Sequence, residues 1–321
     1  MLILEDLTAE IPDTNSYHWG LRELSEDDGK NVLMYGYNSS ANKNFHDRTS
    51  GYNKIYFNNW APCEFAQKVD HNNLTPMNYD DSFQVIYSIC PYTVKWLNST
   101  QNTKKYKYIF YPFHKKLIPS SQDKKYDVIY HGGIHGKEHV SALNTMKSYN
   151  YRYCTMTRGI NNLTRYFLPI ATNTDLQFKD KIDLVAQTKI SICYNLVHVM
   201  PEQIDRILGL SEFTKNKAFS SVGPGKWNVM PQFKTRVHEA AISKTLNLVR
   251  RDDWNVIEDF YEPDKDFIYF ENEDDLSLKI DAILSDWDSY DEMIERAYAK
   301  ALNYTTENFV LKIREDIKNG L

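Results

Sequence analysis

Short apolar runs punctuate the chain at intervals that suit strands: MLILE at 1–5, NVLMYGY at 31–37, KIYFNNW at 54–60, FQVIYSIC at 83–90 and YKYIFYPF at 106–113. They are rich in β-branched and aromatic side chains, whereas TVKWLNST, after Pro91, carries its apolar residues at helical spacing. A second series begins with YDVIYHGG at Tyr126. It continues with a helical segment through Tyr149, a strand NYRYCTMT, the amphipathic run Asp180 to Thr188, and KISICYNLV. Near the end TLNLVRR and FIYFEN read as two more strands, followed by helices over 274–285 and 287–302. Strands alternating with helices predict mostly parallel sheets covered by helices. Between the two series, HKKLIPSSQDKK at 114–125 is polar and aperiodic, with a Pro and two Ser, and reads as a linker. The expectation is therefore an α/β protein of two similar halves, 1–118 and 119–321, as a length of 321 residues also suggests. Neither a solenoid period nor a low-complexity block is present.

Composition narrows the function classes. Apolar residues make up 42% and charged residues 25%, a globular balance, and a formal charge of −5 provides no basic footprint for nucleic acid. No run approaches the ~18 consecutive apolar residues of a membrane span, and MLILEDLTAEIPD turns acidic too soon for a secretory signal. A soluble, cytoplasmic protein is expected. The four cysteines form no CxxC pair, so Cys90, Cys154 and Cys193 read as reduced thiols buried in or beside strands. The abundance of Tyr, Asn and Lys over Gly suits an AT-rich genome such as a virus, in which case the compartment is the host cytoplasm.

The stretch Lys234–Ile313, about 80 residues, carries a resemblance. In order they present Lys234, Arg236, Glu239, the small pair Ala240-Ala241, the strand TLNLV, a loop over 252–266, the strand FIYF and the helix DDLSLKIDAIL. This order resembles the nucleotide-sugar half of GT-B glycosyltransferases. YDVIYHGGIHGKEHVSALNTM looks like the opening strand, glycine loop and first helix of the same domain. The resemblance implies two Rossmann-like domains facing a central cleft, with an acceptor-binding domain at 1–118 and a nucleotide-sugar-binding domain at 119–321. It also implies transfer of a hexosyl or deoxyhexosyl group from a UDP-, GDP- or dTDP-sugar to the hydroxyl of a glycan or similar acceptor, with no cofactor.

The residues of that pattern have chemical reasons. A departing diphosphate can be neutralised by Lys or Arg instead of a metal, a role that suits Lys234 and Arg236. A carboxylate accepts hydrogen bonds from ribose hydroxyls, which suits Glu239 at the opening of a helix, although a Glu there also complements the helix dipole. Gly132, Gly133 and Gly136 permit close backbone approach to a phosphate, and Lys137 adds charge beside them. HGGIHG, however, matches neither GxGxxG nor a Walker loop and also reads as a plain turn.

The retaining branch of the family carries a second Glu eight positions before the ribose Glu, where this chain has Pro231, so inversion is favoured. Inversion needs a general base on the acceptor side. Asp13 and His18, in the exit loop of the first strand, are the candidates, with Glu5 beside them. Asp13 also suits a helix N-cap and His18 a packed histidine. Asn58, Asn59 and Trp60 stand at a strand exit where an aromatic face and amides could meet a sugar. Asp80-Asp81 lacks metal-ligand spacing; Asp286 and Asp288 have it but read as a capped turn between helices. No bound metal is expected. Two alternatives stay open: a nucleotide-sugar epimerase of the same fold, and a non-catalytic nucleotide-sugar-binding module.

Overall fold

The structure, a computed structural model, describes residues 1–5, 20–35, 47–58, 82–100, 102–121, 123–133, 137–155, 172–174, 176–199, 219–220 and 226–320. Asp13, His18, Asn59, Trp60, Asp80, Asp81 and Gly136 lie outside the described residues. Two compact units form. The first holds the described residues of Met1–Lys115, with Val199 and 304–320, and the second those of Lys116–His198 and Lys217–Asn303.

In the first unit β1 (Leu2–Glu5), β2 (Asn31–Tyr35), β3 (Asn53–Asn58), β4 (Phe83–Ser88) and β5 (Tyr106–Tyr108) pair in chain order, β1-β2-β3-β4-β5, and every pair is parallel. All five residues of β2 are buried, the continuous apolar pattern of a strand covered on both faces. Helix α1 (Pro91–Thr100) packs Val94 on the face formed by Val32, Met34, Tyr56 and Ile86. Pro91 suits the first helical position, where a missing N–H is not needed. Asn98 then clamps the next strand, donating to Tyr106 O at 2.9 Å and accepting from Tyr106 N at 3.0 Å.

The second unit opens with β6 (Tyr126–His131), α2 (Lys137–Met146), β7 (Tyr151–Thr155), β8 (Thr172–Thr174), α3 (Phe178–Ala186) and β9 (Thr188–Cys193). β10 (Leu196–Val199), β11 (Phe219–Ser220) and β12 (Lys226–Pro231) form a small separate sheet. The chain continues with α4 (Arg236–Ile242), β13 (Leu246–Arg250), β14 (Ile268–Phe270), α5 (Glu273–Ser285) and α6 (Asp291–Ala301). The main sheet runs β14-β13-β9-β6-β7-β8, all parallel. Numbered by its own strands this is the order 3-2-1-4-5-6 read from the opposite edge, in which the direction of winding reverses between β6 and β9. Lys124 braces the base of this sheet: its Nζ donates to Ala186 O at 2.9 Å and Ser243 O at 3.3 Å, the carbonyl ends of α3 and α4, where a cation is favoured. Buried Asp266 pairs with Arg296 and Lys300 of α6 and ties down the loop before β14.

The last helix, α7 (Thr306–Lys318), belongs to the first unit. Thr305 caps it, accepting from Asn308 N at 3.3 Å. Its apolar stripe Phe309, Val310 and Ile313 packs on Leu33, Ile55, Phe57 and Tyr87, the face opposite α1. Phe309 meets Phe57 edge-on at 4.7 Å, and Tyr87 Oη donates to Asp316 at 2.6 Å.

Candidate functional site

In a doubly wound sheet the connections on either side of the reversal leave in opposite directions, so a crevice opens at the carboxyl ends of the two central strands. Here those strands are β6 and β9, and their ends collect polar side chains that apolar strands rarely carry. His131 closes β6 and is 3% exposed; Ser191 lies two residues before the end of β9 and is fully buried. Ser191 Oγ is 3.1 Å from His131 Nε2, and His131 Nδ1 is 3.0 Å from Glu239 Oε2. Lys181, reaching over from α3, places Nζ 2.8 Å from the same oxygen.

Burial alone would raise the pKa of Glu239, but Lys181 and His131 overcome it and hold the carboxyl well below the ordinary range. Burial depresses the pKa of His131 against the opposing pull of Glu239, which favours the neutral ring. A neutral ring with Nδ1 facing a carboxylate and Nε2 facing a hydroxyl takes the Nδ1–H tautomer, donating toward Glu239 and accepting from Ser191. The thiols are inert neighbours: burial pushes Cys193 up to about 12 and Cys154 up to about 11.

Helix α4 positions the other candidates. It begins at Arg236 itself, and Glu239 lies in its first turn. Ala240 is fully buried against Ile129 of β6 and Val185 of α3, the close packing that small residues allow. Thr235 stands at the N-cap, yet its hydroxyl makes no capping bond and donates instead to Glu239 Oε1 at 3.2 Å. Lys234 N donates to Asn195 Oδ1 at 3.0 Å, and Lys234 Nζ contacts Gln232 Oε1.

Arg236 lies 5.2 Å over the ring of Tyr130 and against Gly132, where an added Cβ would come 2.3 Å from Nη2. Gly132 has φ +150°, a backbone that side chains other than glycine rarely adopt. Tyr153 Oη donates to Gly132 O at 3.0 Å and Tyr130 Oη to Gly133 O at 2.8 Å, so the glycine turn is held from below. Among the described residues two buried donors of the site, Arg236 Nη1 and Asn195 Nδ2, find no hydrogen-bond partner. Buried donors are normally satisfied, so these two have donor capacity left for a further acceptor.

The structure thus brings Lys234, Arg236, Glu239, Gly132 and Gly133 to one end of one sheet, with Lys137 as the first residue of α2. Asp13 and His18 lie outside the described residues. His131, Lys181, Ser191, Thr235 and Asn195 are not singled out by the sequence pattern; the one available signal is a polar residue ending an apolar strand, as in YDVIYH. Among the described residues no group of three or more His, Cys, Asp or Glu could hold a metal, and no helix is long and apolar enough to cross a membrane. Asp286 and Asp288 sit in the turn between α5 and α6, closed by Ser289 donating to Asp286 O.

A family model described as glycosyl transferase-like matches residues 130–313, which include the glycine turn, β9 and α4. Among solved structures the chain is similar to HepE of Anabaena in complex with UDP and glucose, at 12% identity and a TM-score of 0.57, covering 89% of this chain and 78% of HepE. It is also similar to S. aureus TarM, in a complex containing UDP, at 12% identity and a TM-score of 0.55, covering 88% of this chain. The pneumococcal O-GlcNAc transferase GtfA matches at 11% identity and a TM-score of 0.52, over 93% of this chain and 58% of its own. The chain spans about half the length of the TarM structures, 55% and 54%. These likenesses show the GT-B fold expected from the sequence. No curated protein matches the chain.

Proposed function

The chain belongs to the glycosyl transferase-like family, and from that membership we propose that it moves a sugar from a nucleoside diphosphate sugar onto an acceptor hydroxyl. The observation that carries this reading is the pair of buried donors, Arg236 Nη1 and Asn195 Nδ2, that find no partner among the described residues, together with the carboxylate of Glu239 at the same end of the sheet. Donors that lack an acceptor suit a phosphate, and a carboxylate next to them suits a ribose hydroxyl.

In this proposal Glu239 anchors the ribose, and Lys234 and Arg236 neutralise the diphosphate. Gly132 and Gly133 admit it close to the backbone, with Lys137 adding charge. The acceptor oxygen attacks the anomeric carbon as the bond to the β-phosphate oxygen breaks; the electron pair leaves with the diphosphate, and the acceptor's proton passes to a base, for which Asp13 and His18 are the candidates. Basic side chains take the place of a metal, and Pro231 favours inversion. UDP in HepE and TarM supports a UDP-sugar donor; the acceptor is a glycan or another hydroxyl compound.

The test is a thermal-shift screen with UDP, GDP, dTDP and their sugars, followed by release of the nucleoside diphosphate in EDTA. A selective rise in Tm with UDP is expected, because a ligand that binds only the folded state stabilises it. Arg236→Ala should depress kcat more than binding if the charge develops chiefly as the diphosphate departs. A screen in which no nucleotide shifts Tm overturns the reading. Loss of turnover in EDTA restored by Mn²⁺ removes its metal-free part, and donor conversion without any acceptor assigns an epimerase instead.

A further inference from the structure

Resting on the nucleotide reading for its binding readout, we propose that Lys124 is a positioning residue: its ammonium fixes how the helices that carry Lys181 and Glu239 lie against each other, and it does so only while it holds its proton. Those two helices meet twice. At one end Lys181 Nζ of α3 stands 2.8 Å from Glu239 Oε2 of α4. At the other end Lys124 Nζ donates to Ala186 O, on the last residue of α3, at 2.9 Å, to Ser243 O, on the C-cap of α4, at 3.3 Å, and to Thr245 Oγ1 at 3.2 Å. Between the two ends Ala240 packs beside Val185. Thr245 extends the knot to the sheet, its Oγ1 lying 2.8 Å from Val185 O and 2.9 Å from Thr188 O at the start of β9. The backbone beside Lys124 is fixed as well, because Lys125 N and Tyr126 N both donate to Gln187 O, at 2.7 and 3.0 Å. Both helices are short and closely packed, so a shift at their carbonyl ends reaches the Lys181–Glu239 contact as a displacement of the whole helix.

The proton matters because of the number of donors. An ammonium has three N–H groups and no lone pair, and here three oxygens surround it. A neutral amine keeps two N–H groups and presents a lone pair, so one of the three oxygens loses its donor. The carbonyl ends of two helices favour the cation, but none of the three acceptors is a carboxylate. Burial, and then the like charge of Lys244 just beyond the α4 C-cap, oppose the cation and bring Lys124 down to about 7. Lys244 is itself held by Glu295 of α6 and lies over the ring of Tyr298. On α3, Asp183 is paired with Lys179; Asp123 and Lys125 flank Lys124 along its own segment.

The experiment measures Kd for UDP by calorimetry, and Tm, at about pH 6.5 and about pH 8.5 on the full chain and on Lys124→Met and Lys124→Arg, with Lys124→Gln in place of the methionine if that variant fails to fold. Comparison between chains at one pH cancels the ligand's own titration. At the lower pH the native chain should bind UDP about 3- to 10-fold more tightly than Lys124→Met, the range of a lost hydrogen bond, and at the higher pH within about two-fold of it. Lys124→Arg, which keeps its charge throughout, should hold the same advantage at both. Stability should move the other way. The unfolded chain keeps the proton up to about 10.5 while the folded chain releases it near 7, so the native Tm should rise relative to Lys124→Met between the two pH values. A lysine that merely packs would move neither quantity with pH. If the native-to-methionine affinity ratio is the same at both pH values, or the Tm difference does not grow, the proposal fails, while UDP binding by both chains leaves the nucleotide reading standing. If no chain binds UDP at either pH, the nucleotide reading fails and this inference with it.

Discussion

The two parallel sheets are made from the same kinds of strand, yet only one of them reverses. In the first unit the described strands pair in chain order, with no reversal of that order. In the second, the reversal between β6 and β9 parts the connections, and the polar side chains His131, Ser191, Asn195 and Glu239 gather there, all buried. The first unit uses its interior for packing: aromatic and aliphatic side chains seat α1 on one face and α7 on the other. Strand order, more than strand composition, decides which of the two sheets has a reversal at which a crevice opens.

The comparison is broken most forcefully from the first unit. Phe309→Ala removes a fully buried ring from the face that α7 covers and should lower stability by about 3–5 kcal/mol. Chemical denaturation should show that loss, while calorimetry on the folded variant shows UDP affinity within about two-fold of native; a large affinity loss at unchanged fold would tie nucleotide binding to the first sheet. In the second unit Glu239→Ala strips the anion from Lys181 and His131. Leaving a cation unpaired in a largely buried site costs about 3 kcal/mol, so this variant should be less stable as well as weaker in binding. Glu239→Gln preserves the shape and should show roughly 10- to 150-fold weaker UDP binding at a smaller loss of Tm. Equal affinity in Glu239→Gln and the native chain would remove Glu239 from the nucleotide.

A subtler change is Gly132→Ala. The new methyl meets the Arg236 guanidinium and the positive φ strains it, together costing about 1–3 kcal/mol. Arg236 must shift, so nucleotide affinity should fall alongside Tm. Gly133, held through its carbonyl by Tyr130, supplies the milder control as Gly133→Ala. Equal Tm and UDP affinity in Gly132→Ala and the native chain would show that Arg236 does not depend on the bare glycine beneath it. The smallest effect is one of pH. Burial pushes His238 of α4 down to about 3, with Nδ1 paired to Tyr261 Oη at 2.7 Å. The unfolded chain takes up that proton near pH 6.5 while the folded chain does not, so stability is full above about 6.5 and declines as pH falls toward 3. The slope is about 1.4 kcal/mol per pH unit for this histidine, and Tm of His238→Gln measured between about pH 7 and 5 should fall less steeply than that of the native chain.

Much of this protein is written in its local pattern. The runs at 31–35, 83–88, 126–131, 188–193 and 246–250 are strands because apolar residues buried on both faces leave no other periodicity, and Pro91 and Asn272 mark helix starts by chemistry that acts within a few residues. The order Lys234, Arg236, Glu239, Ala240, Ala241 likewise points to one helix start. What no local pattern contains is the partner of a side chain from another segment. That Glu239 is buried against Lys181 and His131, that Gly132 must be small because Arg236 lies on it, and that α7 closes the first sheet all depend on which strands become neighbours. Periodicity reports contacts two, three or four residues apart; strand order, set by burying both faces of each sheet at once, decides the rest.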